Sequence, residues 1–518
     1  MRVPSRVVRP DVHRRRRASV ITIVALSALA LATGATKQTI ALATSADDAP
    51  TFRIDASHTA NQAVDGLRPP LIRKWSVDLA GPVYFPLIVG QTVFVIAGNM
   101  PGPTYPNYGS RLYALSLGDG HVIWGPKQVD PWGGGYFSGL TYDGGRLFVL
   151  TGSGYVEAID PNTGDDLWPH AVGVGGIGVN AQPTAAGGTV YVTIVGNQYA
   201  PPTFNASDAN VTALSEADGH ILWQAGIDSG DFSAPVVTST GVYVTNACED
   251  TWDFDPATGT QLWHYQTGCF GGGGTTPALG HGRLFVRDTA NAPGTMLNPM
   301  TGAAVGNFPS RLLPAFDAST AYMIDQDTNY PGVVAWDIDT STRLWNLAPP
   351  AGDWFMNAPV LANGFVYSTT HYGLLIAADA ASGKQVWSDN LGVAIEGTNN
   401  MAPAAETSGI SIGNGTLLLP VNMTLVAYGN GARSGRSTAP QASATGSFKT
   451  RGPASAPSPV AVGSQPASAP ARHNLAARSV RDTSVPSLTR SPSTSITQSD
   501  LLQRLFHILM TLLRLAFP

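Results

Sequence analysis

The chain has 518 residues, of which 13% are charged and 57 are glycine. The charged fraction is about half of the usual quarter, which excludes a coiled coil or a long charged helix. Two cysteines are too few for a disulfide-dense scaffold, a four-thiolate zinc site or an iron–sulfur cluster. Abundant glycine combined with few charges favours many short strands joined by tight turns.

The net charge of −5 is distributed unevenly along the chain. Residues 1–43 carry +7 and residues 431–518 carry +8, which leaves −20 for residues 44–430. An acidic central region repels nucleic acid and anionic lipid. We therefore expect no nucleic-acid partner, and contact with anionic surfaces only through the two ends.

Residues 1–43 are predicted to be a secretory signal peptide. Four arginines at 14–17 precede an apolar run at 18–32, and small residues at 41–43 and 44–46 offer cleavage sites. An uncleaved N-terminal anchor is the alternative, although the run is short for a membrane span. No cysteine follows the apolar run, so we expect no lipoprotein anchor. The sequence thus predicts an exported protein, extracellular or at the cell envelope.

One pattern recurs along the central region: a short apolar strand, a turn containing Asp and Gly, and a strand that ends in an aromatic residue. Successive aromatic positions are 37 to 55 residues apart, which is typical of a four-stranded propeller blade. A large flat ring at one fixed place per blade is expected to pack against the adjacent blade. We therefore assign a structural, inter-blade role to Trp75, Trp124, Trp168, Trp223, Trp263, Trp345 and Trp387, with Phe308 in the equivalent place.

Prolines precede most of the predicted innermost strands, where a missing N–H is tolerated because such a strand is an edge facing the channel. They are Pro86, Pro183, Pro235, Pro277, Pro314, Pro359 and Pro403. Inner strands are predicted to begin near 85, 138, 182, 234, 276, 313, 358 and 402. The count predicts eight blades, and seven blades is the alternative.

The last predicted blade, residues 402–430, has no fourth strand, and residues 71–76 form an orphan strand at the other end of the propeller. Pairing the orphan strand with residues 425–428 would complete the eighth blade and remove a sheet edge. The predicted fold is an all-β, eight-bladed β-propeller over residues 65–430, preceded by an N-terminal lead-in at 44–64.

The repeat resembles the quinoprotein-type, PQQ-like repeat family. The copies Asp160-PNTGDDL-Trp168, Asp255-PATGTQL-Trp263 and Asp379-AASGKQV-Trp387 carry the resemblance, which covers roughly 350 of 518 residues. For the enzymes of that family the resemblance implies pyrroloquinoline quinone held over the channel beside calcium. It also implies a pair of adjacent cysteines, whereas Cys248 and Cys269 are 21 positions apart. Asn399 and Asn400 are the polar groups that we would assign first to a quinone site.

The C-terminal region differs in composition. Residues 431–499 are rich in Ser, Ala and Pro and are predicted to be a disordered linker. Residues 500–518 are predicted to form an amphipathic helix with a basic stripe, which fits peripheral contact with a membrane. Docking of this helix on the propeller or on a partner is the alternative.

Aromatic residues in the connections at one face of the propeller form a candidate recognition surface. Its members are Tyr105, Tyr108, Trp132, Tyr199, Phe204, Tyr330, Trp354 and Phe355. Ordinary loop packing is the alternative. Asp325, Asp327 and Asn329 match the first half of a calcium loop, but Tyr330 and Trp336 stand where such a loop needs Gly and Glu. We therefore expect no metal, and PQQ or Ca²⁺ only if the protein is a quinoprotein enzyme.

Two classes of function are compatible with this sequence. The first is an exported, non-catalytic propeller that binds a protein or another envelope component, and it resembles the propeller subunit of outer-membrane barrel-assembly machinery. The second is a PQQ-dependent dehydrogenase that uses the mouth of the channel. A carboxylate pair for glycoside hydrolysis is also open, because acidic residues are plentiful and none is singled out.

Cys248 and Cys269 are predicted to form a disulfide in the exported protein. Both follow strands whose ends point to the same face of one blade, so a Cα separation below about 7 Å is feasible. The closed loop of about 20 residues corresponds to roughly 3 kcal/mol of stabilisation in the chain-entropy model. Thiol titration of denatured, unreduced protein should find no free thiol, and two thiols per chain would exclude the bridge.

Overall fold

The computed structural model describes residues 45–98, 109–130, 138–175, 181–195, 209–228, 233–246, 249–267, 274–287, 293–310, 312–325, 332–355, 357–395 and 408–431. The predicted signal peptide, the linker beyond residue 431 and the predicted C-terminal helix lie outside these ranges. Regular structure in the described ranges consists of β-strands. No helix among the described residues is long and apolar enough to cross a membrane.

The strands form eight sheets, each built on four antiparallel strands that follow one another from the channel outward, and two of the sheets gain a fifth strand. Before blade 1 come β1 (Asn61–Gln62) and β2 (Leu71–Asp78). Blade 1 contains β3 Leu87–Val89, β4 Thr92–Gly98, β5 Ser110–Ser116 and β6 Val122–Val129, and blade 2 contains β7 Gly139–Asp143, β8 Arg146–Leu150, β9 Tyr155–Ile159 and β10 Val172–Gly173. Blade 3 contains β11 Thr184–Ala186, β12 Thr189–Ile194, β13 Asn210–Ser215 and β14 Ile221–Gly226. Blade 4 contains β15 Val236–Val237, β16 Val242–Asn246, β17 Thr251–Phe254 and β18 Gln261–Tyr265, with β19 Gly274–Thr275 added as a fifth strand that pairs with β16.

Blades 5 to 8 repeat this arrangement. Blade 5 contains β20 Ala278–Gly280, β21 Arg283–Val286, β22 Gly294–Leu297 and β23 Ala304–Phe308, and blade 6 contains β24 Ala315–Asp317, β25 Thr320–Asp325, β26 Gly332–Asp337 and β27 Thr342–Leu347. Blade 7 contains β28 Val360–Ala362, β29 Phe365–Thr369, β30 Leu374–Asp379 and β31 Gln385–Asn390, with β1 as a fifth strand that pairs parallel with β28. Blade 8 contains β32 Ser411–Gly413, β33 Thr416–Val421 and β34 Thr424–Asn430. The prediction of an all-β, eight-bladed propeller is confirmed, and the seven-bladed alternative is wrong.

The ring closes through the orphan strand, as the sequence predicted. β2 pairs antiparallel with β34, with Trp75 opposite Ala427 and Val77 opposite Leu425. Blade 8 therefore takes three strands from the C-terminal end of the propeller and its outermost strand from the N-terminal end. The alternation of strands gives the ring two faces. We call the face with the first-to-second and third-to-fourth strand turns the turn face, and the opposite one the loop face.

Two local predictions were wrong. The inner strand of blade 8 begins at Ser411 and not near Pro403. The outer strands do not end at their tryptophans: in blade 2 Trp168 lies before the short strand β10, and in the other blades that carry a tryptophan the strand continues beyond it. Pro169 follows Trp168 directly, and a proline has no N–H to donate to the neighbouring strand.

The outer-strand tryptophans lie over the third-to-fourth strand turn of the next blade. Trp124 Nε1 donates to the carbonyl oxygen of Pro161 at 2.8 Å. A Cβ atom on Gly164 would meet the Trp124 ring at 2.8 Å, so glycine is needed there for close approach as well as for its φ of +77°. The same bond joins Trp75, Trp168, Trp223, Trp263 and Trp345 to the carbonyls of Leu117, Glu216, Pro256, Pro299 and Ala380. Trp387 instead meets Tyr428 edge-on, with ring centroids 5.9 Å apart.

The N-terminal lead-in is part of the propeller. Residues 47–65, which we call the strap, run once around the channel at the turn face and contact the innermost strands in chain order. Backbone N–H groups of the blades donate to strap carbonyls: Asn414 to Asp47, Ile88 to Ala49, Tyr142 to Pro50, Val237 to Ala56, Leu279 to Ser57, Phe316 to Thr59 and Leu361 to Ala60. The strap thereby accepts hydrogen bonds at the channel side of seven of the eight blades. The backbone N–H groups that donate these bonds would otherwise have no partner.

The two ends of the strap meet at blades 8 and 1. Gln62 Nε2 donates to the carbonyl of Asp48 at 2.6 Å. Asp48 Oδ1 accepts from Gly90 N at 2.8 Å and from Asn414 Nδ2 at 2.7 Å. Asp65 Oδ2 accepts from Gly415 N at 2.8 Å. These bonds close the strap into a ring inside the propeller ring.

Arg53 is the side chain that crosses the channel from the strap. It is buried, and its guanidinium donates to the carbonyls of Pro359 at 2.9 Å and Pro314 at 2.7 Å. Hydrogen bonds from a charged donor contribute roughly 1.5–3 kcal/mol each. We expect Arg53→Met to lower the free energy of unfolding by several kcal/mol, because buried carbonyls lose their donors.

Arg68→Met is the matched control, because Arg68 is exposed and bonds the side chain of Asn363 at the surface. Its free energy of unfolding should change by less than about 1 kcal/mol. Urea unfolding followed by circular dichroism measures both variants. Equal losses in the two variants would contradict a structural role for Arg53 in the channel.

Candidate functional site: the channel axis and the loop face

The channel axis is nearly filled by the strap. A cavity of about 20 Å³ remains there, with room for about one water molecule. Its lining comes from the strap and from blades 1, 5, 6, 7 and 8, and consists of Phe52, Arg53, Phe85, Arg287, Leu312, Leu313, Ala358, Ser408, Gly409 and Ile410. The strap therefore forms a solid floor for any space open at the loop face.

His58 is a second buried polar group of the strap. Its Nδ1 lies 3.0 Å from the carbonyl oxygen of Pro277, which can only accept, so Nδ1 carries the proton and donates. Nε2 is buried and has no hydrogen-bond partner among the described residues. Burial lowers the pKa of His58 to about 4, and the nearby Arg53 charge lowers it further. The neutral imidazole is thus the form that the strap requires.

A rigid aromatic cluster stands at the loop face beside blade 7. The rings of Trp354 and His371 are stacked with centroids 4.2 Å apart, and Tyr372 meets Trp354 edge-on at 5.7 Å. Asp353 Oδ1 accepts from the backbone N–H groups of Trp354 and Tyr372, which joins the two connections that carry the rings. Trp354 is 45% exposed and Tyr372 is 57% exposed. We call Trp354, His371 and Tyr372 the aromatic platform.

The predicted recognition residues occupy different environments. Trp354 belongs to the aromatic platform, whereas Phe355 is buried in the core and packs between blades. Sequence reasoning missed His371 and Tyr372, because they lie in the short β29–β30 turn and not in a long connection. The remaining candidates lie outside the described residues: Tyr105, Tyr108, Trp132, Tyr199, Phe204 and Tyr330.

The cofactor candidates lie mostly outside the described residues as well. This applies to Asn399, Asn400, Asp327 and Asn329, and the predicted disulfide partners Cys248 and Cys269 also lie outside the described residues. Asp325 is described and buried, and its Oδ2 accepts from the guanidinium of Arg343. A cation already occupies that carboxylate oxygen. Nowhere in the described part of the chain do three or more His, Cys, Asp or Glu side chains converge as a metal site would require.

The small cavity beside the strap does not fit a bound quinone. A three-ring cofactor needs far more space than its volume of about 20 Å³. Within the described ranges, no three His, Cys, Asp or Glu side chains converge to supply carboxylate ligands for an accompanying calcium. We therefore derive no reaction step through pyrroloquinoline quinone.

Several buried carboxyl groups have pKa values that are raised by burial. Burial, followed by the nearby Asp143 carboxylate, raises the pKa of Glu216 to about 8. Glu216 and Asp143 share a hydrogen bond between blades 3 and 2, so they are too close to bracket a glycosidic bond. Burial likewise raises the pKa of Glu157 and of Asp253 to about 7. Glu216 and Glu157 interact with groups of a neighbouring blade, whereas the hydrogen-bond partners of Asp253 lie in its own blade 4.

A family model described as outer membrane protein assembly factor BamB matches residues 108–224, 203–389 and 295–463. The chain belongs to this family. The resemblance to PQQ-like propeller repeats, inferred from the Asp–Gly turns and their tryptophans, is confirmed.

The chain is similar to two curated proteins whose functions differ. The chain is 25% identical to BamB of Moranella endobia over 272 residues, which are 50% of this chain and 59% of that protein. It is 23% identical to tetrathionate hydrolase of Acidithiobacillus ferrooxidans over 344 residues, 59% of this chain and 58% of that one. The chain thus spans less than two thirds of the length of either relative.

Among solved structures, the quinohemoprotein alcohol dehydrogenase from Comamonas testosteroni superposes with a TM-score of 0.56 at 13% identity. The match covers 76% of this chain and 83% of that chain. At this level of identity the likeness shows the fold alone.

The pKa of His58 predicts a pH dependence of stability. Its folded pKa of about 4 lies below the ordinary value of 6.5, so the unfolded chain binds the proton more readily. The stability contributed by neutral His58 is present above pH 6.5 and is lost as the pH falls towards 4, by about 3 kcal/mol. His58→Asn keeps a donor for Pro277 without titrating, and should remove this part of the pH slope.

His170→Asn is the control, because His170 is exposed. The free energy of unfolding of wild type and both variants is to be compared at pH 7 and pH 4. The control should keep the wild-type slope. Equal slopes in wild type and His58→Asn would show that the buried imidazole does not govern acid stability.

Proposed function

We propose that this protein is an exported, non-catalytic β-propeller that binds a protein or another component of the cell envelope through its loop face. The single observation that carries the proposal is the strap, whose buried Phe52, Arg53 and His58 occupy the channel and whose Phe52 and Arg53 border a cavity of about 20 Å³. A channel that is filled by its own chain leaves the outer surfaces of the propeller for function.

The aromatic platform supplies the kind of surface that such binding needs. Exposed Trp and Tyr rings, held in place by stacking and by the Asp353 bonds, bury large area on binding with little loss of side-chain entropy. Large aromatic side chains are enriched at the centres of protein interfaces. The platform is therefore the first contact that we assign to a partner.

Family membership supports a scaffold function at the envelope. The family description and the relative from Moranella endobia both name a factor in outer membrane protein assembly. We carry over from them an envelope location and a protein partner. The basic segment at 500–518 is proposed to add peripheral contact with a membrane, because its sequence combines Arg with apolar residues.

Site-specific photocrosslinking tests the proposed face. A photoreactive phenylalanine analogue at Tyr372 should yield one discrete adduct in envelope extracts, because this ring is 57% exposed beside Trp354. Trp354→Ala in the same protein should reduce the adduct about tenfold or more, as loss of an interface aromatic costs 2 kcal/mol or more. The same analogue at Met300, which is 68% exposed in a turn on the turn face, is the matched control. Equal adducts at Tyr372 and Met300 would contradict the proposal.

Enzyme activity is the competing outcome. After incubation with pyrroloquinoline quinone and Ca²⁺, the full-length protein should show neither the absorbance of bound quinone nor dye-linked oxidation of alcohols or sugars. Either signal, reproduced after gel filtration, would replace the binding function with a quinoprotein dehydrogenase.

A further inference from the structure

A groove at the seam of the ring is separate from the channel and from the aromatic platform. It lies between the outer end of blade 7 and the exchanged sheet of blade 8 and has a volume of about 320 Å³. Its lining consists of Arg73, Lys74, Trp75, Ser76, Leu391, Val393, Val421, Thr424 and Val426. The volume is at the lower end of the range for small-molecule sites.

The groove exists because of how the ring is closed. β2 is the only outer strand that comes from the other end of the described chain, and its pairing with β34 skips one residue between Arg73 and Trp75. Lys74 is the extra residue of this bulge. Its side-chain carbons lie over Gly429 of β34. On the opposite wall, Leu391 N donates to Gly373 O and Ile395 N donates to His371 O, which holds residues 391–395 in place.

The groove is lined by polar and apolar groups together, and one of its positive charges has no ion-pair partner among the described residues. Val421 and Val426 are buried, and Val393 is 48% exposed and offers apolar surface to an incoming group. Arg73 Nε bonds Asp389 Oδ2 at 2.6 Å, so these two charges offset each other. Lys74 is exposed and has no hydrogen-bond or ion-pair partner among the described residues.

The acidity of the rest of the propeller does not cancel this local charge. Residues 44–430 carry −20 in total, but charges farther away than about 8 Å are largely screened at physiological ionic strength. The charges nearest to the groove are Lys74, the neutralised Arg73–Asp389 pair and Asp78, which stands opposite Thr424 at the end of β2 and accepts from Ala80 N.

We propose that the groove between blades 7 and 8 binds a singly charged anionic amphiphile, an alkyl carboxylate, with its carboxylate at Lys74 and its chain over Leu391, Val393, Val421 and Val426. A ligand in this position touches β2, β34 and the end of blade 7 together. It therefore stabilises the closure of the ring, since whatever binds only the folded state raises the unfolding temperature.

Octanoate is the probe, used with the full-length protein. A diazirine derivative of octanoate should label the peptide that contains residues 391–395 in a saturable manner, and free octanoate should compete. Mass spectrometry of individual peptides separates this label from any label on the apolar segment at 500–518. Octanoate should also raise the unfolding temperature in proportion to the occupancy of the groove.

Two variants test the two halves of the site. Lys74→Met keeps the alkyl stem and removes the charge, and should raise the apparent Kd about fivefold, as expected for an exposed ion pair of about 1 kcal/mol. Val393→Asp places a negative charge on the apolar wall and should abolish saturable labelling. Lys384→Met removes an exposed lysine from a turn of blade 7 and should leave the Kd within about twofold. Unchanged unfolding temperatures without octanoate show that the variants are folded.

Three results would overturn the site. One is octanol competing as well as octanoate, which would show that the carboxylate is not recognised. Another is Lys384→Met weakening binding as much as Lys74→Met, which would show a general charge effect. The third is label on residues 391–395 that does not saturate. None of these results tests the proposed binding of a partner at the loop face, because the adduct at Tyr372 is measured independently.

Discussion

The propeller depends on the hydrogen bonds between the strap and the innermost strands. An antiparallel sheet that faces a channel has an unpaired inner edge, and a ring of eight sheets has eight such edges. Here one segment offers its carbonyl oxygens to the N–H groups of seven inner strands, from Asn414 in blade 8 around to Leu361 in blade 7. Burial without these bonds would cost roughly 1–3 kcal/mol for each unpaired group.

The strap also accepts backbone strain. Arg53, Ile54, His58 and Ala60 have positive φ values between 49° and 81°, which residues other than glycine seldom adopt. Ile54 is β-branched, so its φ of 81° is the most costly of these. Such a conformation persists only where the surroundings determine it completely. The ordered strap and the closed ring therefore require each other: the inner edges fix the strap, and the strap joins sheets that would otherwise meet only through side chains.

The blade repeat and the closure of the ring by β2 were predictable because particular side chains recur in the sequence at a fixed spacing. Six of the seven inter-blade tryptophans, all but Trp387, contact a glycine of the next blade, and this pair recurs in the sequence with the period of one blade. The strap was not predictable, because it bonds through backbone carbonyls and carries no repeat. Its one local signal is Asp55, whose Oδ1 accepts from Ser57 N and Thr59 N. Trp354 was predicted as a recognition residue, but its stacking on His371 depends on two distant segments that only the fold brings together.

The arrangement of the chain ends gives the two faces different roles. The strap starts beside Asn414 on the turn face, and Gly431 N donates to Pro70 O where β34 ends and β2 begins, on the same face. The described propeller therefore begins and ends at the turn face near blade 8. The aromatic platform stands at the opposite face, so a partner that approaches Trp354 and Tyr372 does not compete with these two points of the chain.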